Sequence, residues 1–252
     1  MNGLNVLNAA LALTLIFASA AQAAIVGDTA ATAIVNREGS TQTATISKAV
    51  SGSNRYMVVG VAIRSLSISV SSVVYNGSEN ATLIKRKTNA DDAISVELWG
   101  LIAPTVGTNN VVVTLSAADI SFVASVVVYT GVHQTTPTGT AVDAEGDSTA
   151  PSVVASSAAG EVVVDMAAKN DGTSFPSAPT LTVGAGQTQK ANLTTTEGGA
   201  NDLAGGMSEE AGGASVTMSW SGNNNPWAIA AVPLKPAPAA STDDSDEIVM
   251  EF

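Results

Sequence analysis

The side chains that could do chemistry are few in this chain of 252 residues. It contains one histidine, His133, and no cysteine. A Ser-His-Asp triad would have to use His133, and a zinc site built on several histidines or cysteines lacks its ligands. The motifs Gly-x-Ser-x-Gly, His-Glu-x-x-His and Gly-x-x-x-x-Gly-Lys-Ser/Thr do not occur. His133 follows a strand-like run and precedes Thr-Thr-Pro, which is typical of a loop residue. The sequence therefore predicts that the protein is not an enzyme.

Carboxylates are the remaining catalytic candidates, because a glycosidase needs only two facing acids. Glu97 shares a strand face with Trp99, which would suit a sugar surface, and Asp165 lies in the apolar run EVVVDMAA. However, a charged residue on the wet face of a strand is ordinary. We do not predict a catalytic pair from these two residues.

Calcium is a better candidate ligand. In the segment DAEGD, Asp143, Glu145 and Asp147 place three acids at alternate positions, as the oxygen ligands of Ca²⁺ often are. We expect this segment to be a loop. It is not an EF-hand, because Val154 stands where the bidentate glutamate would be. The three acids are predicted as a generic calcium site, with a solvated acidic turn as the alternative.

The elements that must position these residues are strands. The stretch SVELWGLIAPTVGTNNVVVTLS alternates in side-chain character on both sides of a segment rich in Pro, Gly and Asn, which predicts two strands paired as a hairpin. In the second strand Val111, Val113 and Leu115 share one face and are predicted to point inward. Val112 and Thr114 are predicted to lie on the opposite face.

Composition extends this interpretation to the whole chain. Only 13% of residues are charged and 4% are aromatic, and no segment after the first 23 residues shows a helical period of apolar residues. Valine and threonine runs separated by Gly, Asn and Pro favour an all-β protein. The spacing of about six or seven short strands in each half of the chain is typical of a β-sandwich.

Residues 1–23 are predicted to be a secretory signal. An apolar run from Ala9 to Phe17 precedes Ala21-Gln22-Ala23, a small-x-small cleavage pattern, so the mature chain would begin at Ala24. The first eight residues lack Lys and Arg, and an uncleaved strand or anchor is the alternative. No other stretch is suited to cross a bilayer as a helix. We therefore expect a secreted protein that is extracellular or on the cell surface, with no disulfides to stabilise it.

The formal net charge of −12 is unevenly distributed. Residues 1–90 carry seven basic and three acidic residues, whereas residues 91–252 carry three basic and nineteen acidic residues. This balance argues against nucleic acid as a partner, because phosphate binding needs a basic surface. The acidic excess is typical of a soluble surface. The alternative is that a basic region of one copy meets an acidic region of the next.

The two halves of the chain resemble each other in order and spacing. The segments RYMVVGVAI (Arg55–Ile63) and SFVASVVVYTGV (Ser121–Val132) align with GEVVVDMAA (Gly160–Ala168) and NPWAIAAVPLKP (Asn225–Pro236). We predict one jelly-roll-like β-sandwich domain over residues 24–236, built from similar halves at about 28–135 and 140–236. Two tandem sandwiches are the alternative. Residues 237–252 are predicted to be an acidic, flexible tail.

These strand and turn segments, most specifically ELWGLIAPTVGTNNVVVTLS and YTGVHQTTPTG, resemble a β-sandwich module of secreted, mostly uncharacterised bacterial surface proteins. The resemblance covers about residues 50–236. It implies a cell-surface or extracellular matrix setting. It supplies no catalytic residues.

Three classes of function follow. The favoured one is a structural or adhesive subunit of an extracellular fibre or cell-surface assembly, which self-associates by β-strand addition. The candidate donor strands are AIVGDTAATAIVN (24–36) and EIVMEF, in which Ile248, Met250 and Phe252 share one face. The alternative is a secreted carbohydrate-binding module that stacks a glycan on tryptophans. A hydrolase is the third class, and most of its residues are missing.

Overall fold

The computed structural model describes residues 22–36, 42–90, 93–170, 179–197 and 202–239. Within these ranges all regular structure is β-strand, so the prediction of an all-β protein with a β-sandwich architecture is confirmed. None of the described residues belongs to a helix that is long and apolar enough to cross a membrane.

Two predicted segments lie mostly outside the described residues. Only Gln22 and Ala23 of the predicted signal are described, and only residues 237–239 of the predicted tail, so EIVMEF is not placed. Ala237 is buried, and its N–H donates a hydrogen bond to the carbonyl of Gly131 (2.7 Å). The last described residues therefore rest against the sandwich.

The described residues form eighteen strands. The first half of the chain contains β1 (Val26–Gly27), β2 (Ala31–Val35), β3 (Thr43–Val50), β4 (Tyr56–Ile63), β5 (Val70–Tyr75), β6 (Glu79–Asn80), β7 (Thr82–Asn89), β8 (Ile94–Ile102), β9 (Gly107–Leu115) and β10 (Phe122–Thr130). The second half contains β11 (Val142–Ser148), β12 (Ser152–Ala155), β13 (Val162–Asn170), β14 (Leu181–Val183), β15 (Thr188–Thr194), β16 (Leu203–Ala211), β17 (Val216–Gly222) and β18 (Asn225–Leu234).

Each half contains one large and one small antiparallel sheet. The first large sheet has the order β10-β4-β8-β7, with both β1 and β2 on the outer side of β10, and the second has the order β11-β18-β13-β16-β15. The small sheets are β3-β9-β5-β6 and β12-β17-β14. The two large sheets thus have matching strand orders, with β1 and β2 beside β10 where β11 lies beside β18. The small sheet of the first half has one strand more, β6.

Three apolar cores separate these four layers. The middle core lies between the two large sheets, and its members include Tyr56, Val58, Val127, Met166 and Val232. The first outer core lies between the sheets of the first half, and the second outer core lies between those of the second half. The molecule therefore combines one core that both halves share with one core inside each half.

The long apolar runs in the sequence belong to strands that are covered on both faces. All eight residues of β4 are buried. Val58 and Ala62 point into the middle core, while Val59 and Val61 point into the first outer core. Because both faces of such a strand need apolar side chains, its sequence does not alternate.

The predicted hairpin is wrong, although both of its strands exist. β8 pairs with β4 and β7 in the large sheet, whereas β9 pairs with β3 and β5 in the small sheet. Residues 103–106 therefore cross between the sheets. The carbonyl of Pro104 in this crossing accepts a hydrogen bond from Arg55 Nε (2.9 Å). The predicted orientation of β9 is confirmed, since its inward residues are fully buried: Val111, Val113 and Leu115.

The alignment of the two halves in the sequence is one residue out of register at β4. It matches Val58 with Val163, but Val58 faces the middle core and Val163 faces the second outer core. The residue of β13 that faces the middle core is Val164. Since successive side chains of a strand point to opposite faces, a shift of one residue exchanges the two faces.

Candidate docking groove for the amino-terminal strands

The two carboxylates considered for a catalytic pair point away from each other. Glu97 is 1% exposed and lies on the face of β8 toward the first outer core, so the expectation of a wet strand face is wrong. Asp165 is 0% exposed and lies on the face of β13 toward the second outer core. Both large sheets and the middle core lie between them, and stacked sheets alone are about 10 Å apart. They cannot act on one substrate from facing positions.

Glu97 instead connects the two sheets of the first half. Its carboxylate accepts hydrogen bonds from the backbone N–H of Val70 in the small sheet (3.1 Å) and from Trp99 Nε1 (2.8 Å), and it forms an ion pair with Arg86 (3.3 Å). Burial raises the pKa of Glu97, and these three partners oppose that rise.

Asp165 has the corresponding role in the second half. It accepts hydrogen bonds from the backbone N–H and the hydroxyl of Ser208 (2.8 and 2.7 Å) and from Trp220 Nε1 (2.7 Å). Burial raises its pKa from 3.8 to about 7 despite these donors. The carboxylate therefore joins β13 and β16 to β17 across the second outer core.

The three tryptophans do not form one exposed surface. Trp220 and Trp227 are 2% and 7% exposed and belong to the second outer core, and their indole N–H groups are bonded internally. Trp99 is half-buried against the first outer core. A carbohydrate-binding function stays a prediction, without support from a tryptophan platform.

His133 lies in a loop, as its sequence context indicates. Its Nδ1 accepts hydrogen bonds from the backbone N–H groups of Thr135 (3.2 Å) and Thr136 (3.0 Å). The ring therefore shapes the Thr-Thr-Pro turn.

The acids predicted to bind calcium lie on strand β11, not in a loop. Lys85 of β7 contacts Asp143 (2.5 Å), and Lys87 contacts Glu145 (3.3 Å). Among the described residues no group of three or more His, Cys, Asp or Glu side chains is placed to hold a metal ion. Calcium binding by Asp143, Glu145 and Asp147 stays a prediction. The ion pairs show that lysines of the basic region, residues 1–90, contact acids of the acidic region, residues 91–252, within one chain.

A set of polar contacts surrounds the amino-terminal segment, residues 24–36. Val26 and Gly27 of β1 pair with Thr130 and Tyr129 of β10, and the five residues of β2 pair further along the same edge, from Val126 to Phe122. Without this segment, the outer N–H and C=O groups of β10 would have no strand beside them. We call this edge of β10, with the side chains around it, the docking groove.

Asp28 fixes the segment between β1 and β2. Its Oδ1 accepts hydrogen bonds from the backbone N–H of Val128 (2.9 Å) and from Lys48 Nζ (2.8 Å). Lys48 extends from β3, is 4% exposed and also donates to the carbonyl of Thr29 (2.6 Å). Because a buried ammonium group needs a charged partner, Asp28 and Lys48 stabilise each other's position.

Gly27 lies directly over the buried ring of Tyr129 and the partly buried carboxylate of Glu209. A Cβ atom at this position would be 2.5 Å from Cε1 of Tyr129 and 2.6 Å from Oε2 of Glu209. Burial raises the pKa of Tyr129 well above its usual value, and the neighbouring Glu209 carboxylate acts in the same direction. Only a residue without a side chain can approach this surface so closely.

The second half of the chain holds the segment at both ends. Lys190 Nζ contacts Glu209 (2.7 Å) and donates to the carbonyl of Gly27 (3.1 Å). The side chain of Asn36 exchanges two hydrogen bonds of 3.2 Å with Thr196. A cleft of about 290 Å³ lies beside these contacts, between residues 27–30 and 188–190. The groove is thus built by both halves.

The sequence indicated residues 24–36 as a strand donor but did not identify the side chains that receive it: Lys48, Tyr129, Lys190 and Glu209. One usable signal was Lys48, the only charge in the alternating strand TATISKAV. Another was the dipeptide Gly-Asp, which occurs both at Gly27 and at Gly146.

No protein-family model, curated protein or solved structure matches the chain. The resemblance to bacterial surface modules therefore stays a prediction.

Proposed function

We propose that this protein is a structural subunit of an extracellular assembly, in which residues 24–36 of one copy occupy the docking groove of another. The observation that carries the proposal is the groove itself. It holds this segment as an edge strand through a backbone ladder, an ion pair at Asp28 and contacts from both halves. Export through the predicted signal at residues 1–23 places the subunit outside the cell.

The contacts of the groove do not depend on which copy supplies the strand. The two residues of β1 and the five of β2 make backbone hydrogen bonds, and side chains alternate between the sandwich and solvent. The same contacts form within one chain and between two chains. Exchange between copies therefore costs little in contacts, and protein concentration shifts the balance toward assembly.

The reach of the segment limits how neighbouring copies are arranged. Val35 ends β2 and Thr43 begins β3, so seven residues, 36–42, separate the donated strand from β3 of its own sandwich. The eight Cα–Cα steps from residue 35 to residue 43 span at most about 26–29 Å when extended. The acceptor groove must therefore lie close to the donor's β3. Because the donor segment and the acceptor groove are different surfaces, the contact propagates as a filament or closes as a ring.

Engineered cysteines test the exchange cleanly, because the chain has none of its own. Val26, which is 60% exposed, pairs with Thr130 across the groove. Cα atoms of such partners lie about 4.5–5.5 Å apart, within disulfide range. We expect an oxidised mixture of Val26→Cys chains and Thr130→Cys chains to give disulfide-linked dimers on a non-reducing gel.

A matched control replaces Val26→Cys by Val106→Cys, since Val106 is similarly exposed but pairs with no residue of β10. This mixture should give only the few dimers that random collisions produce. The proposal is wrong if the Val26→Cys mixture gives no more dimers than the control while a chain carrying both Val26→Cys and Thr130→Cys closes its disulfide internally.

A further inference from the structure

The docking groove has its tightest contact at one residue of the segment. Any side chain on residue 27 would enter the space of Tyr129 and Glu209. Tyr129 is fully buried in the middle core, and Glu209 is held by Lys190, so neither can move without disturbing other contacts. The groove therefore accepts glycine at this position and excludes larger residues.

The next residue is selected by charge. The backbone N–H of Val128 and the ammonium group of Lys48 converge on Oδ1 of Asp28. A shift of the segment by one residue would place either Val26 or Asp28 over Tyr129, and it would leave Lys48 without its carboxylate. Size at residue 27 and charge at residue 28 thus specify the same register.

The chain contains a glycine covered by an aromatic ring, followed by an aspartate, a second time. In β11, Gly146 pairs with Trp227 of β18, and a Cβ atom on Gly146 would lie 2.7 Å from Cζ2 of that indole. Asp147 follows Gly146 as Asp28 follows Gly27. Gly27 and Gly146 each lie in a strand at the edge of a large sheet, and each is covered by an aromatic ring of the neighbouring strand.

We infer that the docking groove is a recognition site for a strand carrying Gly-Asp, with glycine over Tyr129 and the carboxylate between Val128 and Lys48. The partner it fits is residues 24–36 of a second copy of this chain, in the single register that pairs residue 26 with residue 130. Recognition of a second copy rests on the proposed strand exchange. We call the fit of Gly27 over Tyr129 and the contact of Asp28 with Lys48 the register lock. The lock fixes the register of the chain's own segment in the same way.

The lock is tested first within one chain. A chain with Val26→Cys and Thr130→Cys is equilibrated in a glutathione buffer, and the equilibrium constant for its internal disulfide is measured. Gly27→Ala should lower this constant at least about fivefold, because overpacking a filled site costs about 1–3 kcal/mol and 1.4 kcal/mol is tenfold. Asp28→Asn should lower it severalfold by removing the charge opposite Lys48. Gly213→Ala is the matched control, since a Cβ atom there meets nothing within 4 Å.

Recognition between copies is tested on the full chain carrying only Thr130→Cys, which retains Gly27. Peptides of residues 24–36 with Val26→Cys are added, one with Gly27 and one with Gly27→Ala. The Gly27 peptide should form the mixed disulfide at least about fivefold faster. Equal rates for the two peptides, or equal internal constants for Gly27→Ala and Gly213→Ala, would overturn the lock. If neither peptide reacts while the internal constants differ as expected, strand exchange is wrong and the lock remains.

Discussion

Charged residues are only 13% of this chain, and several of them are buried. The buried ones stabilise contacts between sheets. Glu97 and Asp165 each lie in an apolar strand and each accept a hydrogen bond from a tryptophan indole. Each carboxylate joins a large sheet to the small sheet of its own half. The two residues stabilise the packing of sheets and have no common substrate site.

Asp165 should make stability depend on pH. The folded chain holds its proton up to a pKa of about 7, whereas the unfolded chain releases it near 3.8. Between these values the folded state binds more protons, so the free energy of unfolding falls as pH rises and levels off above about 7. In Asp165→Asn this fall should be absent. From pH 5 to pH 8 the variant should gain on the order of 2–3 kcal/mol relative to the native chain.

Urea denaturation at pH 5 and pH 8 measures this difference directly. Asp119→Asn is the matched control, because Asp119 is exposed and asparagine tolerates its positive φ of 60°. The control should keep the pH dependence of the native chain. An unchanged pH dependence in Asp165→Asn would mean that the buried carboxylate is not what titrates in this range.

At the scale of elements, the facing edges of the two large sheets are joined by charge. Lys85 and Lys87 of β7 form ion pairs with Asp143 and Glu145 of β11, and these side chains are 24–41% exposed. Alternate residues of each strand point to the same face, so the lysines and the acids meet as two rows. β7 and β11 are edge strands of the two large sheets. Charged side chains on an edge strand disfavour its pairing with a strand of another molecule.

A double-mutant cycle on Lys87 and Glu145 should detect this contact. The coupling free energy between Lys87→Ala and Glu145→Ala should be about 0.2–1 kcal/mol, the range of partly exposed pairs, and it should shrink as salt is raised to 1 M. Lys87 with Glu161 forms a control cycle, since no ion pair joins them. A coupling that is zero at low salt would contradict a stabilising role for these rows.

The sequence predicts the strands themselves better than their partners. Alternation correctly oriented β9, because one face of this strand is buried and the other is partly wet. β8 is buried on both faces for most of its length, so its pattern could not show which sheet it joins. A turn rich in Pro and Asn is compatible with a hairpin and with a crossing between sheets. The choice depends on contacts with β3, β4, β5 and β7, which lie far away in the chain.

The docking groove could not be predicted from the sequence, for a related reason. Its donor segment is continuous and could be identified by its alternation, but its acceptor side is assembled from β3, β10, β15 and β16. Gly27 and Glu209 come together only because the two large sheets face each other. No local pattern encodes such a contact.

The whole molecule is held together by the middle core. Met166 of β13 packs against Gly60 of β4, where a Cβ atom would be 2.9 Å from its sulfur. Val58, Val127 and Val232 also belong to this core, so each half leaves a large apolar face uncovered without the other. An uncovered face of this kind is unfavourable in water by about 25 cal/mol per Å² of apolar area. The halves should therefore depend on each other for stability.

We expect the two halves to unfold in a single transition. Hydrogen exchange pulses along a urea gradient, analysed by mass spectrometry, should show that peptides from β4 and β13 lose protection at the same urea concentration. Met166→Ala should lower both midpoints together, with a cost of about 2–5 kcal/mol for a buried methionine. Val113→Ala lies in the first outer core and is the companion variant. If the halves were independent, Met166→Ala would lower only the urea midpoint of the β13 peptides, and Val113→Ala would lower only that of the β4 peptides. The large apolar faces that meet in the middle core favour the joint shift, because separating the halves would expose both faces at once.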